Sequence, residues 1–210
     1  LDARPELGAV TGTVREIAFD SGATATKGQV LVRLDTSSEE AQLRSAEAQR
    51  ELARLNRDRS RGLYAEGVVS KADLDTREAE YLKTGGDVEV IEATIAKKTI
   101  LAPFAGRLGI RTVNLGQYVN EGTPIVSLQS LDPVFVDFSV PEQQLEQLKR
   151  AMEVRVVTDA TPGRVFTGRV TALNPEVDPA TRSLKVQVTV ANGGGELRPG
   201  MFARVNLVLP

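Results

Sequence analysis

The sequence contains no cysteine, histidine or tryptophan, and each absence excludes a class of functional site. Without cysteine, the chain forms no disulfide and offers no thiol nucleophile or thiolate zinc ligand. Without histidine, it lacks the commonest general base and the commonest transition-metal ligand. Aromatic residues make up only 4% of the chain and its net charge is −2, so nothing favours nucleic-acid binding. No apolar run reaches the roughly 18 residues needed to cross a bilayer.

The acidic residues do not form a recognisable catalytic pattern. The candidates for a carboxylate pair are Asp132, Asp137, Glu176 and Asp178. Paired carboxylates can hydrolyse glycosidic bonds, but no His, Cys or glycine-rich phosphate loop accompanies these four. Asp178 lies in NPEVDPATR, where Asn, Asp and Pro have ordinary turn chemistry. We therefore predict that the chain is not an enzyme and binds no cofactor or metal.

A glycine-punctuated segment occurs twice. The first copy is GTVREIAFDSGATATKGQVLVRLD, residues 12–35, and the second is GRLGIRTVNLGQYVNEGTPIVSLQ, residues 106–129. Three glycines recur at one constant separation: Gly12, Gly22 and Gly28 correspond to Gly106, Gly116 and Gly122. Each copy has the length of two or three short strands, and isolated hairpins are only marginally stable. The repeat predicts that the two copies pack together as a small β-sandwich.

The segment between the copies, residues 36–99, predicts two antiparallel helices of about 28 residues each. The second helix carries a seam at alternating steps of three and four, which is the heptad pattern of a coiled coil. Its members are Leu74, Arg77, Tyr81, Thr84, Val88, Ile91, Ile95 and Lys98. The first helix shows the same period with smaller residues at Ala41, Ser45, Ala48, Leu52, Leu55 and Arg59.

The link between the helices contains stop and start signals. Gly67 is expected to end the first helix, and Ser70 with Asp73 resembles a capping box at the start of the second. Gly85-Gly86 interrupts the second helix at a cost of about 1 kcal/mol per glycine relative to alanine. The pair could mark a bend or could be tolerated without one.

Residues 131–210 have the pattern of a small antiparallel β-barrel. Five segments alternate in polarity or are rich in β-branched residues. They are VFVDFSV, VRVVT, RVFTGRVTAL, SLKVQVTVA and FARVNLVL. Between the first two, PEQQLEQLKRAM predicts a short helix with Pro141 in its first turn.

These motifs resemble those of periplasmic adaptors, or membrane fusion proteins, of tripartite efflux pumps with resistance-nodulation-division (RND) transporters. The resemblance covers nearly all 210 residues. It is carried by the split repeat, ILAPFAGRLG (100–109), SLDPVFVDFSVPE (130–142), GRVTALNPEVDPATRSLKVQVTV (168–190) and LRPGMFARVNL (197–207).

The resemblance implies a mainly β fold with an inserted α-helical hairpin. A lipoyl-like β-sandwich (1–35 and 100–130) would be split by a coiled-coil hairpin (36–99) and followed by a β-barrel (131–210). A membrane-proximal domain normally uses segments beyond both ends, and we expect it to be missing from this sequence. The implied partners are an inner-membrane RND transporter, an outer-membrane channel and further copies of the chain in a hexameric ring. The implied location is the periplasm, with an inner-membrane anchor outside the sequence.

One motif of the family can be placed residue by residue. Adaptors that dock an outer-membrane channel carry Arg, Leu and Ser at relative positions 0, 4 and 11 of the hairpin tip. This sequence has Arg59, Leu63 and Ser70 at that spacing. The resemblance implies that Arg59 donates hydrogen bonds to the channel and that Leu63 fills an apolar gap. The same residues also fit an ordinary helix–turn–helix, in which Ser70 caps, Leu63 packs and Arg59 is solvated.

Other functions remain as alternatives. The adaptor could serve an ABC or major-facilitator exporter instead. A lipoyl or biotinyl carrier domain needs a lysine between the two halves of its sandwich, but no Lys occurs between Lys27 and Lys71. A heavy-metal efflux adaptor would favour Met or His ligands, whereas this chain has only Met152 and Met201, far apart in sequence. Organic cargo is the better hypothesis.

Overall fold

The computed structural model describes residues 4–7 and 11–207. The parts of the predicted segments 1–35 and 131–210 that fall on residues 1–3, 8–10 and 208–210 lie outside the described residues. The strands of the N-terminal half are β1 (Arg4–Leu7), β2 (Gly12–Ile17), β3 (Thr24–Ala25), β4 (Val30–Leu34), β5 (Thr99–Leu101), β6 (Gly106–Leu108), β7 (Tyr118–Val119) and β8 (Pro124–Gln129). The helices are α1 (Ser37–Ala65) and α2 (Lys71–Lys97).

The two copies of the repeat form two four-stranded sheets with equivalent strand orders. One sheet has the order β1-β8-β6-β3 and the other has the order β5-β4-β2-β7. The repeat relates β1 to β5, β2 to β6, β3 to β7 and β4 to β8. Each copy therefore contributes two outer strands, β1 and β3 or β5 and β7, to the sheet built on the other copy's central strands. The predicted repeat is confirmed, and it extends beyond the recurring glycines to include β1 and β5.

Equivalent turns in the two copies depend on glycine. Gly22 and Gly116 have φ of 83° and 77°, and Gly28 and Gly122 both have φ of 81°. A side chain makes this left-handed region costly, which explains why glycine recurs at these positions. The two sheets enclose one apolar core, in which Leu31, Leu34, Ile125 and Leu128 are at most 1% exposed.

The insertion forms the predicted antiparallel hairpin, with α1 of 29 residues and α2 of 27 residues. The α2 seam is largely as predicted: Thr84 and Val88 are buried, and the other members except Arg77 are partly buried. The helix continues through Gly85 and Gly86 without a break. None of the described helices is apolar enough along its length to cross a membrane.

The predicted seam of α1 is wrong in phase. All six of its members are exposed, and Leu52 and Leu55 are 60% and 47% exposed. The α1 side chains that are buried in the hairpin are Ala46 and Ala53. Their small size lets the two helix backbones approach each other, and the larger leucines are left on the outer surface.

The C-terminal region folds into a five-stranded antiparallel sheet that curls into a nearly closed barrel. Its strands are β9 (Val134–Pro141), β10 (Glu153–Thr158), β11 (Phe166–Asp178), β12 (Ser183–Val190) and β13 (Ala203–Leu207). The order is β13-β10-β11-β12-β9, so β9 and β13 are its edges. Val154, Val156, Val188 and Val190 lie in its core with no exposed surface. The predicted fold class is confirmed.

The short helix predicted after β9 differs in type and start. It is a 3-10 helix at Glu142–Gln147. Pro141 does not begin it but ends β9, where it lies opposite Ser183 of β12. An edge strand accommodates proline because one side of it needs no hydrogen-bond donor.

Candidate functional site

The hairpin leaves the sandwich from two neighbouring strands. Arg33 of β4 pairs with Thr99 of β5, and the Leu34 amide donates to the Lys98 carbonyl oxygen at 2.9 Å. The Asp35 carboxylate accepts from the Ser37 amide and hydroxyl, both at 3.1 Å, which satisfies the start of α1. The hydrogen bonds from Ser37 lower the pKa of Asp35 below its ordinary value. The two ends of the hairpin are therefore fixed side by side.

Lys98 joins both helices to the sandwich at this root. Its ammonium group donates to Glu39 Oε1 at 2.7 Å and to the Asp35 carbonyl oxygen at 2.8 Å. The side chains of Lys98 and Glu39 are only 11% and 19% exposed. The hydrogen bond from Lys98 lowers the pKa of the Glu39 carboxyl. The other Glu39 oxygen, Oε2, is buried without a hydrogen-bond partner among the described residues.

The middle of the hairpin is held by a cation–aromatic contact between the helices. The Arg57 guanidinium carbon lies 4.0 Å from the centre of the Tyr81 ring, and that of Arg50 lies 5.8 Å from it. Arg50 and Arg57 flank Ala53 at heptad spacing, so they continue the observed α1 seam. A Cβ at Gly85 would lie 3.8 Å from Arg50 Nε, so this glycine faces the same arginine.

The tip of the hairpin is a tight, well-capped link. Gly67 has φ of 73° and follows the end of α1, as predicted. Ser70 Oγ accepts from the Asp73 amide at 3.1 Å, and the Ser70 amide donates to Asp73 Oδ2 at 3.3 Å. This is the predicted capping box. The Ser70 hydrogen bonds lower the pKa of Asp73.

The three predicted docking residues lie in this tip region. Arg59 is exposed and forms no ion pair with any described residue, whereas Leu63 is partly buried. Arg59 and Leu63 are one turn apart on α1 and so share a face. Ser70 is the N-cap of α2 on the other side of the link, and its side chain forms hydrogen bonds with Asp73. The structure thus places all three near the tip but records no hydrogen bond between Ser70 and Arg59.

Sequence reasoning missed two apolar side chains at the tip. Tyr64 and Val68 are 43% and 66% exposed. An ion pair between Arg61 and Glu78, 2.8 Å between nitrogen and oxygen, ties the two helices together just behind them. Val68 could have been predicted to be exposed, because an apolar residue in a link of only a few residues has little room to turn inward, whereas Tyr64 lies in the last turn of α1.

Three of the four candidate catalytic carboxylates accept hydrogen bonds within the fold, and no side-chain hydrogen bond is described for the fourth, Glu176. Asp132 Oδ1 accepts from the Asn192 amide at 2.7 Å, and Asp137 accepts from Gln187 Nε2 at 3.1 Å. Asp178 accepts from two amides of its turn, which lower its pKa. Within the described parts of the chain, no group of three or more acidic side chains could hold a metal ion.

Two family models match the chain. Residues 35–101 match the RND MFP, alpha-helical hairpin domain, and residues 133–210 match the CusB-like, beta-barrel domain. Together they cover more than half of the chain in the order that the structure shows. The chain belongs to the RND membrane fusion protein family.

Curated relatives align with nearly the whole chain. An uncharacterized protein of Haemophilus influenzae is 36% identical over 99% of this chain. The toluene efflux pump periplasmic linker protein TtgG of Pseudomonas putida is 29% identical over 98%, and the multidrug resistance protein MexA of Pseudomonas aeruginosa is 28% identical over 98%. The chain spans 56%, 56% and 57% of these three relatives, respectively.

Solved structures of low sequence identity share the fold. A MacA–MexA chimeric protein containing the Pseudomonas aeruginosa MexA α-hairpin domain matches with a TM-score of 0.86 at 22% identity, covering 98% of this chain and 77% of the other. A putative efflux transporter from Bacteroides eggerthii matches with a TM-score of 0.82 at 22% identity, covering 98% and 65%.

Proposed function

We propose that this membrane fusion protein is a periplasmic adaptor that bridges an inner-membrane RND transporter to an outer-membrane channel and supports the export of organic compounds. The observation that carries the proposal is the coiled-coil hairpin inserted between β4 and β5, where a carrier domain would present a cofactor. Relatives named as periplasmic linkers of toluene and solvent efflux pumps support organic cargo. The role is structural, without a chemical reaction.

The hairpin has the reach of a bridging element. At 1.5 Å per residue, the 29 residues of α1 extend about 43 Å from the sandwich. The Lys98–Glu39 root fixes one end, and the capping box and the Arg61–Glu78 ion pair order the other. A stiff arm of this kind can hold two partners at a fixed distance from each other.

We place the channel contact at the tip. Arg59 is exposed there, and its guanidinium retains donors for carbonyl or carboxylate groups of the channel. Leu63 offers a partly buried apolar surface beside the exposed Tyr64 and Val68. Ser70 would contribute through its hydroxyl while it caps α2. Supporting this assignment are the exposure of Arg59 and the spacing shared with docking adaptors.

Self-association into a hexameric ring is part of the same proposal. The outer faces of both helices carry exposed apolar side chains that a neighbouring hairpin could cover. They are Leu52 and Leu55 on α1 and Leu82 and Val90 on α2, which are 60%, 47%, 71% and 67% exposed. Aligned hairpins would form a sheath around the route to the channel.

The test replaces Arg59 by Asp in the full-length protein and measures drug resistance and crosslinking of the tip to the outer-membrane channel. The matched control is Arg44→Asp, the same change at an exposed position about four turns closer to the root of α1. We expect Arg59→Asp to lower both readouts at equal expression, and Arg44→Asp to preserve the crosslink. Equal behaviour of the two variants would remove Arg59 from the tip contact.

A further inference from the structure

Two cavities meet where the sandwich joins the barrel. The barrel cavity, about 280 Å³, opens between the sheet edges β9 and β13. The junction cleft, about 360 Å³, lies between residues 107–131 of the sandwich side and the segment before β13. Arg198 and Pro199 line both, so the two cavities are adjacent. Each volume is near the lower end of the range for small-molecule sites.

The barrel cavity has a mixed lining, with Asp137, Thr158 and Arg198 among apolar side chains, several of which belong to the barrel core. Its lining includes Val156 and Leu197, which are 0% and 5% exposed and belong to that core. At its mouth, Phe202, Phe135 and Met201 are 94%, 41% and 37% exposed. An almost fully exposed phenylalanine is costly in water, and a chain of methylene groups against it would remove apolar surface from solvent.

The junction cleft is cationic. Arg107 and Arg198 both line it, with Ser127 and Gln129 as the other side chains that can hydrogen-bond, and no carboxylate is among the described lining residues. Arg107 Nε donates to the Gly22 carbonyl oxygen at 3.1 Å, which orients its guanidinium and leaves further donors. Neither arginine forms an ion pair with any residue that the structure describes.

Gly109 makes room for the Ser127 hydroxyl in the wall of the junction cleft. A Cβ at Gly109 would overlap Ser127 Oγ, so glycine leaves the space in which that hydroxyl sits. Asp137 lines the barrel cavity and not the cleft, and its Oδ1 accepts a hydrogen bond from Gln187. Because the described lining of the cleft has two arginines and no carboxylate, a negatively charged group would complement it.

We propose that these cavities bind one free, single-chain anionic amphiphile. Its carboxylate or sulfate head would lie on Arg107 and Arg198, and its apolar chain would enter the barrel cavity past Phe202. A guanidinium pair suits such a head because charge-assisted hydrogen bonds to oxyanions are short and strong. An extended peptide pairing with the β9 or β13 edge is the rival occupant, but it would use neither the cationic cleft nor the core side chains that line the barrel cavity.

The test is calorimetric titration of this chain with dodecanoate at concentrations below its micelle threshold. We expect one site per chain and weaker binding, by about tenfold or more, of dodecanol and of dodecyltrimethylammonium. Arg198→Gln should weaken dodecanoate binding about tenfold, the equivalent of one charge-assisted hydrogen bond. Phe202→Ser should weaken it several-fold, and since Phe202 is 94% exposed this change should not unfold the barrel.

Matched controls separate this site from general charge and from membranes. Arg155→Gln removes an exposed arginine of β10 outside both cavities and should leave the affinity unchanged. Flotation with phosphatidylglycerol vesicles tests whether the site binds a lipid surface instead. We expect no more protein to float with these vesicles than with phosphatidylcholine vesicles. The proposal would be overturned if dodecanoate and dodecanol bound equally well, or if Arg155→Gln and Arg198→Gln lost the same affinity for dodecanoate. It would also be overturned if the protein bound vesicles but not free dodecanoate.

Discussion

Lys98 is the residue whose loss should most weaken the root of the hairpin. Replacing it by Met keeps the length of the side chain and its apolar stem but leaves the Glu39 carboxylate partly buried without a cation. The hydrogen bond to the Asp35 carbonyl oxygen is lost as well. Fully buried pairs cost about 3–5 kcal/mol when one partner is removed, and exposed pairs are worth about 0–1 kcal/mol. With side chains 11% and 19% exposed, we expect Lys98→Met to cost about 2 kcal/mol.

The measurement is urea unfolding followed by far-UV circular dichroism, which reports mainly the two long helices. The double mutant Glu39→Gln with Lys98→Met should recover part of the loss, because the uncompensated charge is then absent. Arg33→Met is the matched control: its ion pair with Glu16 spans 3.6 Å with both side chains 55% exposed, and it should cost less than about 0.5 kcal/mol.

Acid should reduce the stability cost of Lys98→Met, because the part that comes from the Glu39 carboxylate disappears when that group is protonated. Lys98 lowers the pKa of Glu39 below the ordinary 4.5, so folding is stabilised above that value and the stabilisation is lost as the pH falls through the lowered pKa. The cost of Lys98→Met should therefore shrink progressively below pH 4.5. A cost at neutral pH no larger than that of Arg33→Met, or a double mutant as unstable as the sum of its single mutants, would refute the reasoning.

Three further substitutions test local features of the fold. Ser70→Ala should cost about 1 kcal/mol of hairpin stability, whereas Ser70→Asp, which can still cap the Asp73 amide, should cost less; a full loss in both variants in thermal unfolding would contradict a capping role. Gly86→Ala should stabilise α2 by up to about 1 kcal/mol, because a Cβ there has no neighbour within 4 Å; a lower melting temperature would show that the helix needs this glycine. Gly106→Ala should destabilise the sandwich by more than 2 kcal/mol, roughly the cost of core overpacking, because its Cβ would lie 2.5 Å from the Gln129 carbonyl oxygen; unchanged amide-exchange protection of the sandwich would refute that estimate.

The sequence predicted the sandwich well because its turns depend on glycine. A positive φ leaves few residue choices, so the recurrence of Gly22 and Gly28 as Gly116 and Gly122 records backbone geometry directly. The two short strands exchanged between sheets, β3 and β7, could not be predicted in the same way. Two-residue strands have no periodicity of their own, and long-range pairing alone defines them.

The phase of the α1 seam was predicted wrongly for a different reason. Arg50 and Arg57 occupy the side of α1 that faces Tyr81, and their contribution is electrostatic attraction to an aromatic ring. Hydrophobic periodicity scores arginine as solvent-facing, so it selected the face that carries Leu52 and Leu55. The heptad period was predicted correctly, but a hydrophobic pattern takes no account of an arginine that packs over an aromatic ring.

In the candidate site, local features were predicted and long-range contacts were not. The capping box of Ser70 and Asp73 is local, spans four residues and was predicted correctly. The Lys98–Glu39 pair joins residues far apart in the chain, and a lysine at the end of a helix gives no indication of which acid it meets. The exposure of Val68 could have been predicted from the shortness of the link, whereas Tyr64 lies in the last turn of α1, so its exposure depends on the phase of that helix.

The pairing of Arg33 with Thr99 has a consequence for how such proteins can vary in size. Because the hairpin departs and returns through adjacent strands, its two ends stay a strand spacing apart whatever its length. Seven residues added to each helix would move the tip outward by about 10.5 Å and would leave every contact of the sandwich in place. The distance between two docking partners can thus change by insertion or deletion of whole heptads, independently of the fold that supports them.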